Sequence, residues 1–300
     1  MRSGHVGVRH FVRRSLAMAL CVFLTAPMTG CGQPKPVPDP LETVFYPNSF
    51  ADAKEWTKGV EGDIATASQG YVGLSVKGDG AYKVQVSCGD EKYNYDIAND
   101  GTATYFPLSL GDGSYRIRVL KNTSGSKYVE MTARTVEVRL DDEFQPFLHA
   151  NAIVSFTADS VCVAQAGRLA AASSDEDAFM NNVMDYICST VSYDSQLAAT
   201  VTAGYVPDPD RTISRGKGIC YDYASLAAAM LRSQGIPCKL ITGFVDDYYH
   251  AWNAIYLKGQ GWVVTEFDVK ADTWSRVDFT LADSGTFGLK DKVYTDAYVY

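Results

Sequence analysis

The sequence predicts an α+β fold in which a small all-β region comes first and helices packed on an antiparallel sheet follow. Two changes of pattern predict it. From about residue 41 to 148 apolar and polar side chains alternate, which is typical of half-buried antiparallel strands. From about residue 157 apolar side chains recur at three- and four-residue spacing, as they do in helices. With 300 residues, 46% of them apolar, the chain is long enough for two domains with hydrophobic cores.

The first 30 residues have the layout of an export signal. A basic stretch ends at Arg14, and an apolar segment too short to span a bilayer runs from Leu16 to Ala26. The following segment, Pro27 to Cys31 (PMTGC), resembles a bacterial lipobox, in which the signal is cut before a cysteine that then carries lipid; Met28 stands where leucine is usual. We expect residues 1–30 to be a signal peptide and Cys31 to be lipidated. An ordinary cleaved signal is the alternative.

Residues 31–40 form a proline-rich segment, with proline at every second position from 34 to 40. Such a segment favours extended polyproline II geometry and is expected to act as a semi-rigid tether. The chain carries 27 basic and 35 acidic side chains, a net charge of −8, which argues against a nucleic-acid partner. We therefore expect an exported protein that is lipid-anchored at the outer face of the bacterial cell membrane and contacts the membrane through that anchor only.

The region from residue 41 to 150 is predicted to be a β-sandwich-like domain. Tyr82, Val84 and Val86 alternate with polar residues, and Gly-rich turns such as Gly78 to Gly80 separate the short strands. Nothing in this region clusters cysteine, histidine or carboxylates. Its expected role is that of a scaffold or spacer.

The region from residue 151 to 300 is predicted to contain three helices and then an antiparallel sheet. The first helix is expected at residues 159–172. The second helix is expected to begin at a capping box formed by Ser174 and Asp177, and the third to run from Cys220 to Gln234, where Gly235 ends it. Strands are expected at residues 240–244, 251–257, 262–267 and 274–279.

Cys220 is the first residue with a chemical signal, because it stands where a glycine-containing loop turns into a helix. Unpaired N–H groups and the positive end of the helix dipole stabilise a thiolate at such a position. Of the four histidines, His5 and His10 belong to the leader, His149 lies in the connector between the regions, and His250 begins a strand. His250 is thus the candidate base, although a cysteine at a helix start is commonly an ordinary core residue.

The remaining cysteines give no further site. Beyond the leader and Cys31, the chain has Cys88, Cys162, Cys188, Cys220 and Cys238, with no Cys-x-x-Cys spacing that would indicate a zinc or redox site. One or two disulfides are compatible with an exported protein, but their pairing cannot be read from the sequence. We expect no metal and no organic cofactor.

Residues 218–224 (GICYDYA) followed by residues 250–252 (HAW) resemble the core of the bacterial transglutaminase-like superfamily, which has a papain-like fold. Residues 231–237 (LRSQGIP) also resemble the end of that family's helix, and the resemblance covers about residues 157–290. It implies a papain-like transglutaminase core with Cys220 as nucleophile and His250 as base. It also implies a catalytic carboxylate on the strand after the histidine strand.

The position of that carboxylate is open among three residues. The family often has a Trp-x-x-x-Asp-Pro-Thr pattern, whereas Trp262 is followed by Glu266 and no Pro-Thr. An inserted hairpin turning near residues 270–272 would restore the spacing at Trp274 and Asp278. We therefore favour Asp278 and keep Glu266 and Asp268 as alternatives, since each could accept the imidazole N–H.

These residues predict a cell-surface thiol enzyme that acts on amide bonds, either a glutamine side chain or a peptide. Cys220 would attack the amide carbon to form an acyl-enzyme, His250 would transfer the proton, and Asp278 would orient the ring. An amine acceptor would make the protein a transglutaminase, whereas water would make it a protease or amidase. The substrate is expected to be a protein or peptide, cell-wall peptide included. The alternative is a catalytically inactive transglutaminase-like binding module on the cell surface.

Overall fold

Alternating apolar residues form the expected strands in the first region. The computed structural model of the protein describes residues 50–268, 273–278, 286–289 and 292–300. The predicted signal, Cys31 and the tether lie outside the described residues. The strands of the first region are β1 Lys54–Thr57, β2 Val60–Asp63, β3 Tyr71–Val76, β4 Tyr82–Cys88, β5 Glu91–Ile97, β6 Thr104–Pro107, β7 Gly113–Ser124 and β8 Lys127–Val138.

These strands build two antiparallel sheets, in the orders β1-β2-β3-β6 and β5-β4-β7-β8. Their apolar faces share one core, to which Leu74 and Phe106 contribute from one sheet and Val84 and Ile117 from the other. The predicted all-β region is therefore confirmed, and its polar residues at alternate positions face outward as the period of two requires.

The second region begins with helices. They are α1 Val161–Ala171, α2 Glu176–Thr190, α3 Ser195–Thr200, α4 Pro209–Arg215 and α5 Cys220–Arg232. The start of α2 is capped by Asp175, whose side chain accepts a hydrogen bond of 2.8 Å from the N–H of Ala178, so the cap lies one residue after the predicted Ser174. Within the described residues, none of the helices combines the length and apolarity needed to cross a membrane.

A six-stranded antiparallel sheet packs against α5. Its strands are β11 Cys238–Val245, β12 Tyr248–Leu257, β13 Gly261–Asp268, β14 Thr273–Asp278, β15 Thr286–Leu289 and β16 Lys292–Val299, in the order β14-β13-β12-β11-β16-β15; a short parallel pair, β9 Ser192–Tyr193 and β10 Lys217–Gly218, precedes α5. The side-chain amide of Asn253 on β12 donates to the carbonyl of Ala224 in α5 at 3.0 Å. This bond joins helix and sheet in the middle of the core.

The boundary predicted at residue 150 coincides with a change of secondary structure, and side chains of the two regions pack against each other. Among the described residues both regions belong to one compact unit. The Tyr93 ring packs edge-on against the Tyr300 ring at 5.7 Å, and the Ser109 hydroxyl donates to the Val299 carbonyl at 2.6 Å. Buried Arg232 donates to the carbonyl of His149 at 2.9 Å. The connector is thus a packed element of the core.

Candidate active site

Cys220 is the first residue of α5, as the sequence predicts. Ile219 before it is extended, with φ −99° and ψ 175°, and its N–H donates to the carboxylate of Asp222 at 2.8 Å. This bond satisfies an N–H at the helix start and places a carboxylate in the first turn, where the helix dipole favours it. The sulfur of Cys220 is held, partly buried, at the positive end of a thirteen-residue helix.

Asp222 also fixes the loop that faces the cysteine. The hydroxyl of Tyr205 donates to its other carboxylate oxygen at 2.6 Å, and Asp222 is 2% exposed. Burial raises the pKa of Asp222, while the hydrogen bonds from Tyr205 and Ile219 oppose that rise. Glycine is required at position 218 for steric reasons, because a Cβ there would lie 2.6 Å from the Cβ of Asp222. Asp222 had no predicted role, although a carboxylate three residues after the helix cap can be recognised in the sequence as part of a capping box.

The β9–β10 pair brings a tyrosine to the cysteine. Tyr193 pairs with Gly218, two residues before Cys220. Burial raises the pKa of Tyr193, and Tyr193 and Cys220 line the same cavity. The tyrosine therefore belongs to the surroundings of the nucleophile.

His250 lies on β12 and is brought against Cys220. Its side chain is only 17% exposed. Burial by itself lowers the pKa of His250, but its contacts with Cys220 and Glu266 outweigh burial and raise the pKa to about 9. The imidazole is therefore placed to hold a proton beside the thiol.

A glycine on the neighbouring strand lies directly opposite His250. Gly243 on β11 pairs with His250 on one side and with Asp296 of β16 on the other, at a bulge in the ladder. A Cβ at Gly243 would lie 2.1 Å from the carbonyl oxygen of Thr295. The close strand approach next to the histidine thus requires glycine.

The carboxylate beside His250 belongs to Glu266. Its Oε1 lies 3.4 Å from Nε2 of His250, and its Oε2 accepts a hydrogen bond from the hydroxyl of Tyr294. The Nε2–Oε1 contact is an ion pair without the alignment of a good hydrogen bond. Glu266 side-chain exposure is 14%, so the pair is largely shielded from water.

The register of the sheet does not bring Asp278 to His250, which corrects the preferred prediction. Asp278 pairs with Val263 on β13, and Val263 pairs with Ile255 on β12, five residues from His250. At about 3.3 Å per residue this is roughly 16 Å along the strands, far beyond the reach of an aspartate side chain. The predicted hairpin arms are present as β13 and β14, but β14 runs back along β13 and carries Asp278 away. The side chains of Asp278 and Asp268 lie outside the described residues.

A cavity of about 640 Å³ opens beside Cys220 and His250. Residues 94–96 of β5 form one wall, residues 198–206 form another, and the sheet supplies Thr242, Tyr249 and Ala251. Tyrosines make up much of the lining: Tyr95, Tyr193, Tyr205, Tyr221, Tyr249, Tyr298 and Tyr300. Among the described residues that line it, Asp96 is the only carboxylate and none is lysine or arginine. Asp96 is itself paired with Lys83 at 2.7 Å.

Other thiols lack this environment. Burial raises the pKa of Cys162 and also that of Cys238, to about 12 in the second case, and burial likewise raises the pKa of Cys88. All three are free thiols, and none of them lines the cavity. In the described part of the chain, no three histidine, cysteine or carboxylate side chains are grouped as metal ligands would be.

The sequence of the second region matches a known protein family. Residues 163–267 match the family described as the transglutaminase-like superfamily, so the chain contains a transglutaminase-like domain. No curated protein matches the chain.

Three solved structures resemble the chain at low identity. A candidate cysteine protease from Cytophaga hutchinsonii is 15% identical, with a TM-score of 0.38 over 77% of this chain and 86% of that one. A protein described as a TGase is 18% identical, with a TM-score of 0.31 over 49% of this chain and 43% of that one. A candidate protease from Parabacteroides distasonis is also 18% identical, with a TM-score of 0.28 over 60% of this chain and 36% of that one.

Proposed function

We propose that this protein, whose residues 163–267 match the transglutaminase-like superfamily, is a thiol enzyme that acts on amide bonds through Cys220, His250 and Glu266. The observation that carries the proposal is the meeting of a helix-start cysteine and a largely buried histidine at one cavity, with a carboxylate oxygen 3.4 Å from Nε2 of the imidazole. A nucleophile, a base and a group that orients the base are the parts that acyl transfer needs.

In the first step the proton of the Cys220 thiol passes to His250, and the thiolate attacks the carbonyl carbon of the amide. The carbonyl oxygen of the tetrahedral intermediate becomes negative. The first N–H groups of α5, at Cys220 and Tyr221, have no intrahelical acceptor by helix geometry and can donate to it. His250 then gives the proton to the leaving nitrogen, the carbon–nitrogen bond breaks, and ammonia or an amine departs from a thioester.

In the second step a water or an amine attacks the thioester, and His250 takes its proton. The carbon–sulfur bond breaks and the thiol is regenerated. Water yields a carboxylate and makes the protein a protease or amidase; an amine yields a new amide and makes it a transglutaminase. Glu266 holds the charged imidazole in both steps, because its carboxylate faces Nε2 and leaves Nδ1 to the cysteine.

The substrate is proposed to be a protein or peptide, cell-wall peptide included. The size of the cavity and its tyrosine lining suit an extended peptide segment with apolar or aromatic groups. We further propose that the enzyme works at the outer face of the cell membrane, held by a lipid on Cys31, a residue that lies outside the described part of the chain.

The reactivity of Cys220 tests the proposal without a known substrate. An ordinary thiol has a pKa near 8.5 and is about 1% ionised at pH 6.5, so a thiolate paired with imidazolium should react with iodoacetamide at least about tenfold faster there. Peptide mapping should find the label on Cys220, and His250→Ala should lower the rate. Cys88→Ser, which removes a thiol outside the cavity, is the matched control and should change nothing.

Assays on glutamine peptides then separate the possible reactions. Ammonia release with incorporation of a labelled amine indicates a transglutaminase, while cleavage or ammonia release alone indicates a hydrolase. Cys220→Ala and His250→Ala should each abolish turnover, since nucleophile and base act as one unit. If Cys220 reacts no faster than a model thiol and no amide substrate turns over, the proposal fails and the non-catalytic binding module takes its place.

A further inference from the structure

The carboxylate of Glu266 is held at both of its oxygens. Oε1 lies 3.4 Å from Nε2 of His250, and Oε2 accepts the hydroxyl hydrogen of Tyr294. Tyr294 comes from β16, far along the chain from the cysteine and histidine motifs. No feature of those motifs predicts its presence at the site.

Tyr294 is rigidly placed. It is 1% exposed, it pairs with Val245 across β11 and β16, and its ring meets the Trp252 ring edge-on at 5.4 Å between centroids. Trp252 is fully buried and its ring is nearly parallel to that of His250, with an angle of 27° and 6.4 Å between centroids. The three rings therefore pack as one layer over the sheet, and the phenol cannot turn away from Glu266 without disturbing it.

Glutamate needs such support more than aspartate does. Its side chain has one more methylene group and one more rotatable bond, so its carboxylate has more orientations to lose when it is fixed against an imidazole. A second hydrogen bond from a buried donor removes that freedom before substrate binds. We propose that Tyr294 is a positioning residue that fixes the Glu266 carboxylate against His250; this inference rests on the function proposed above.

The other ionisable groups at this face belong to the same sheet. Burial raises the pKa of Tyr294, and Glu266 and then Asp246 raise it further, so the phenol remains a hydrogen-bond donor over the working pH range. Asp246 accepts from the N–H of Val293 at 2.8 Å, and this bond holds the start of β16. Asp296, opposite Gly243, has its pKa raised by burial to about 6 against the opposing effect of Lys239. His250 itself contacts Cys220 and Glu266.

Tyr294 should affect the reactivity of Cys220 through two groups that lie between them, the Glu266 carboxylate and the His250 imidazole. A fixed carboxylate stabilises the imidazolium, and the imidazolium stabilises the thiolate of Cys220. Loss of the Tyr294 hydroxyl should free the carboxylate, weaken the imidazolium and reduce the thiolate fraction at acidic to neutral pH. The aromatic packing on Trp252 should remain if phenylalanine replaces the tyrosine.

The test is the rate of Cys220 alkylation by iodoacetamide, measured from pH 5 to 10 on the full chain. Tyr294→Phe should slow the reaction at pH 6.5 by about tenfold, equivalent to about 1.4 kcal/mol, and should do little at pH 10, where thiols ionise without help. Tyr93→Phe is the matched control. It removes another buried hydroxyl that contacts β16, the one that accepts from the N–H of Val299 at 3.1 Å, and it lies outside the cavity lining.

A double variant separates positioning from general loosening. In the Glu266→Gln background, Tyr294→Phe should have no further effect on the rate at pH 6.5, because no carboxylate remains to be oriented. An equal loss in both backgrounds, or a loss in Tyr93→Phe of the same size, would show that Tyr294 only supports the fold. An unchanged rate in Tyr294→Phe would overturn the inference outright.

Failure of this inference differs from failure of the proposed function. If wild-type Cys220 reacts like a model thiol, the proposed function fails and the comparison of variants has no basis. If wild-type Cys220 reacts rapidly and Tyr294→Phe reacts identically across the pH range, only the role of Tyr294 is rejected.

Discussion

Nε2 of His250 lies 3.4 Å from Oε1 of Glu266, in a place where the family pattern led us to expect an aspartate further along the chain. A carboxylate at that distance in a site shielded from water stabilises the imidazolium form of the ring.

The first prediction compares the two acids. Glu266→Gln should lower kcat by about 10²- to 10⁴-fold, because an amide can hold the imidazole in the wrong tautomer and removes the charge that balances it. Asp278→Asn should stay within about twofold of wild type, since its strand register places it far from His250. Circular dichroism and thermal melting check that both variants fold. The opposite pattern, with Asp278→Asn inactive, would restore the inserted-hairpin assignment.

A second prediction concerns pH. The raised pKa of His250, about 9, means that the imidazole keeps the proton it donates to the leaving nitrogen until pH rises through that value. Activity should therefore fall on the alkaline side near pH 9. In Glu266→Gln the imidazolium loses a stabilising charge, so any residual activity should fall at a lower pH. The check is to measure rates from pH 5 to 10 and to titrate His250 by NMR in both proteins. An alkaline limb at the same pH in wild type and in Glu266→Gln would contradict the ion pair.

The third prediction concerns the two regions. A chain truncated to residues 150–300 would expose the faces of Tyr298 and Tyr300 that pack on Tyr93, and each large apolar side chain exposed costs about 1.5–3 kcal/mol. We expect it to aggregate or to unfold without a cooperative transition, while residues 41–300 remain folded. Differential scanning calorimetry of the two chains makes the comparison. A cooperative transition in the shorter chain with rapid Cys220 alkylation would show that the regions are separable.

The fourth prediction concerns charge in the cavity. Its lining includes Asp96 and no lysine or arginine among the described residues, so peptides with a lysine next to the reacting glutamine should be favoured over peptides with a glutamate there. Asp96→Asn should narrow that preference by about three- to tenfold in kcat/KM, with Asp90→Asn, in the turn at the other end of the β4–β5 hairpin and outside the cavity lining, as control. The preference for lysine is limited because the ammonium group of Lys83 partly neutralises the Asp96 carboxylate. Equal kcat/KM values for the two peptides in wild type would contradict the predicted preference for lysine.

The fifth prediction concerns the anchor. Cys31→Ser should move the protein from the membrane fraction to the soluble fraction of a bacterial host and should abolish labelling by a fatty-acid probe. A wild-type protein that is already soluble and carries a free amino-terminal cysteine would contradict lipidation.

Local patterns predicted much of the second region. The start of α5 at Cys220, its end before Gly235 and the four strands β11 to β14 follow from periodicity and from helix-ending residues. The strand β16 was missed, because it has too few apolar residues at alternate positions to stand out, yet it supplies Tyr294. Its place in the sheet depends on long-range pairing with β11, which one short segment does not encode.

The carboxylate that faces His250 was also difficult to predict, because its position too depends on long-range strand pairing. Residue type and spacing reduced the choice to Glu266, Asp268 and Asp278, but spacing along the chain measures distance poorly once a hairpin intervenes. Strand register decides the matter, and register depends on which residues pair across β12, β13 and β14. The residues between β13 and β14 were interpreted as an insertion before the acid, whereas Glu266, the carboxylate that faces His250, precedes them.

The cavity wall formed by residues 94–96 has a consequence for how this protein can change. These residues lie on a strand that carries neither the nucleophile nor its base, so substitutions there alter what enters without altering how the bond is broken. Selection for a new substrate could therefore act on β5 while the motifs around Cys220 and His250 stay constant. Homologues that share those motifs should then differ in their peptide preferences when this strand differs, and exchange of residues 94–96 between two of them should transfer the preference.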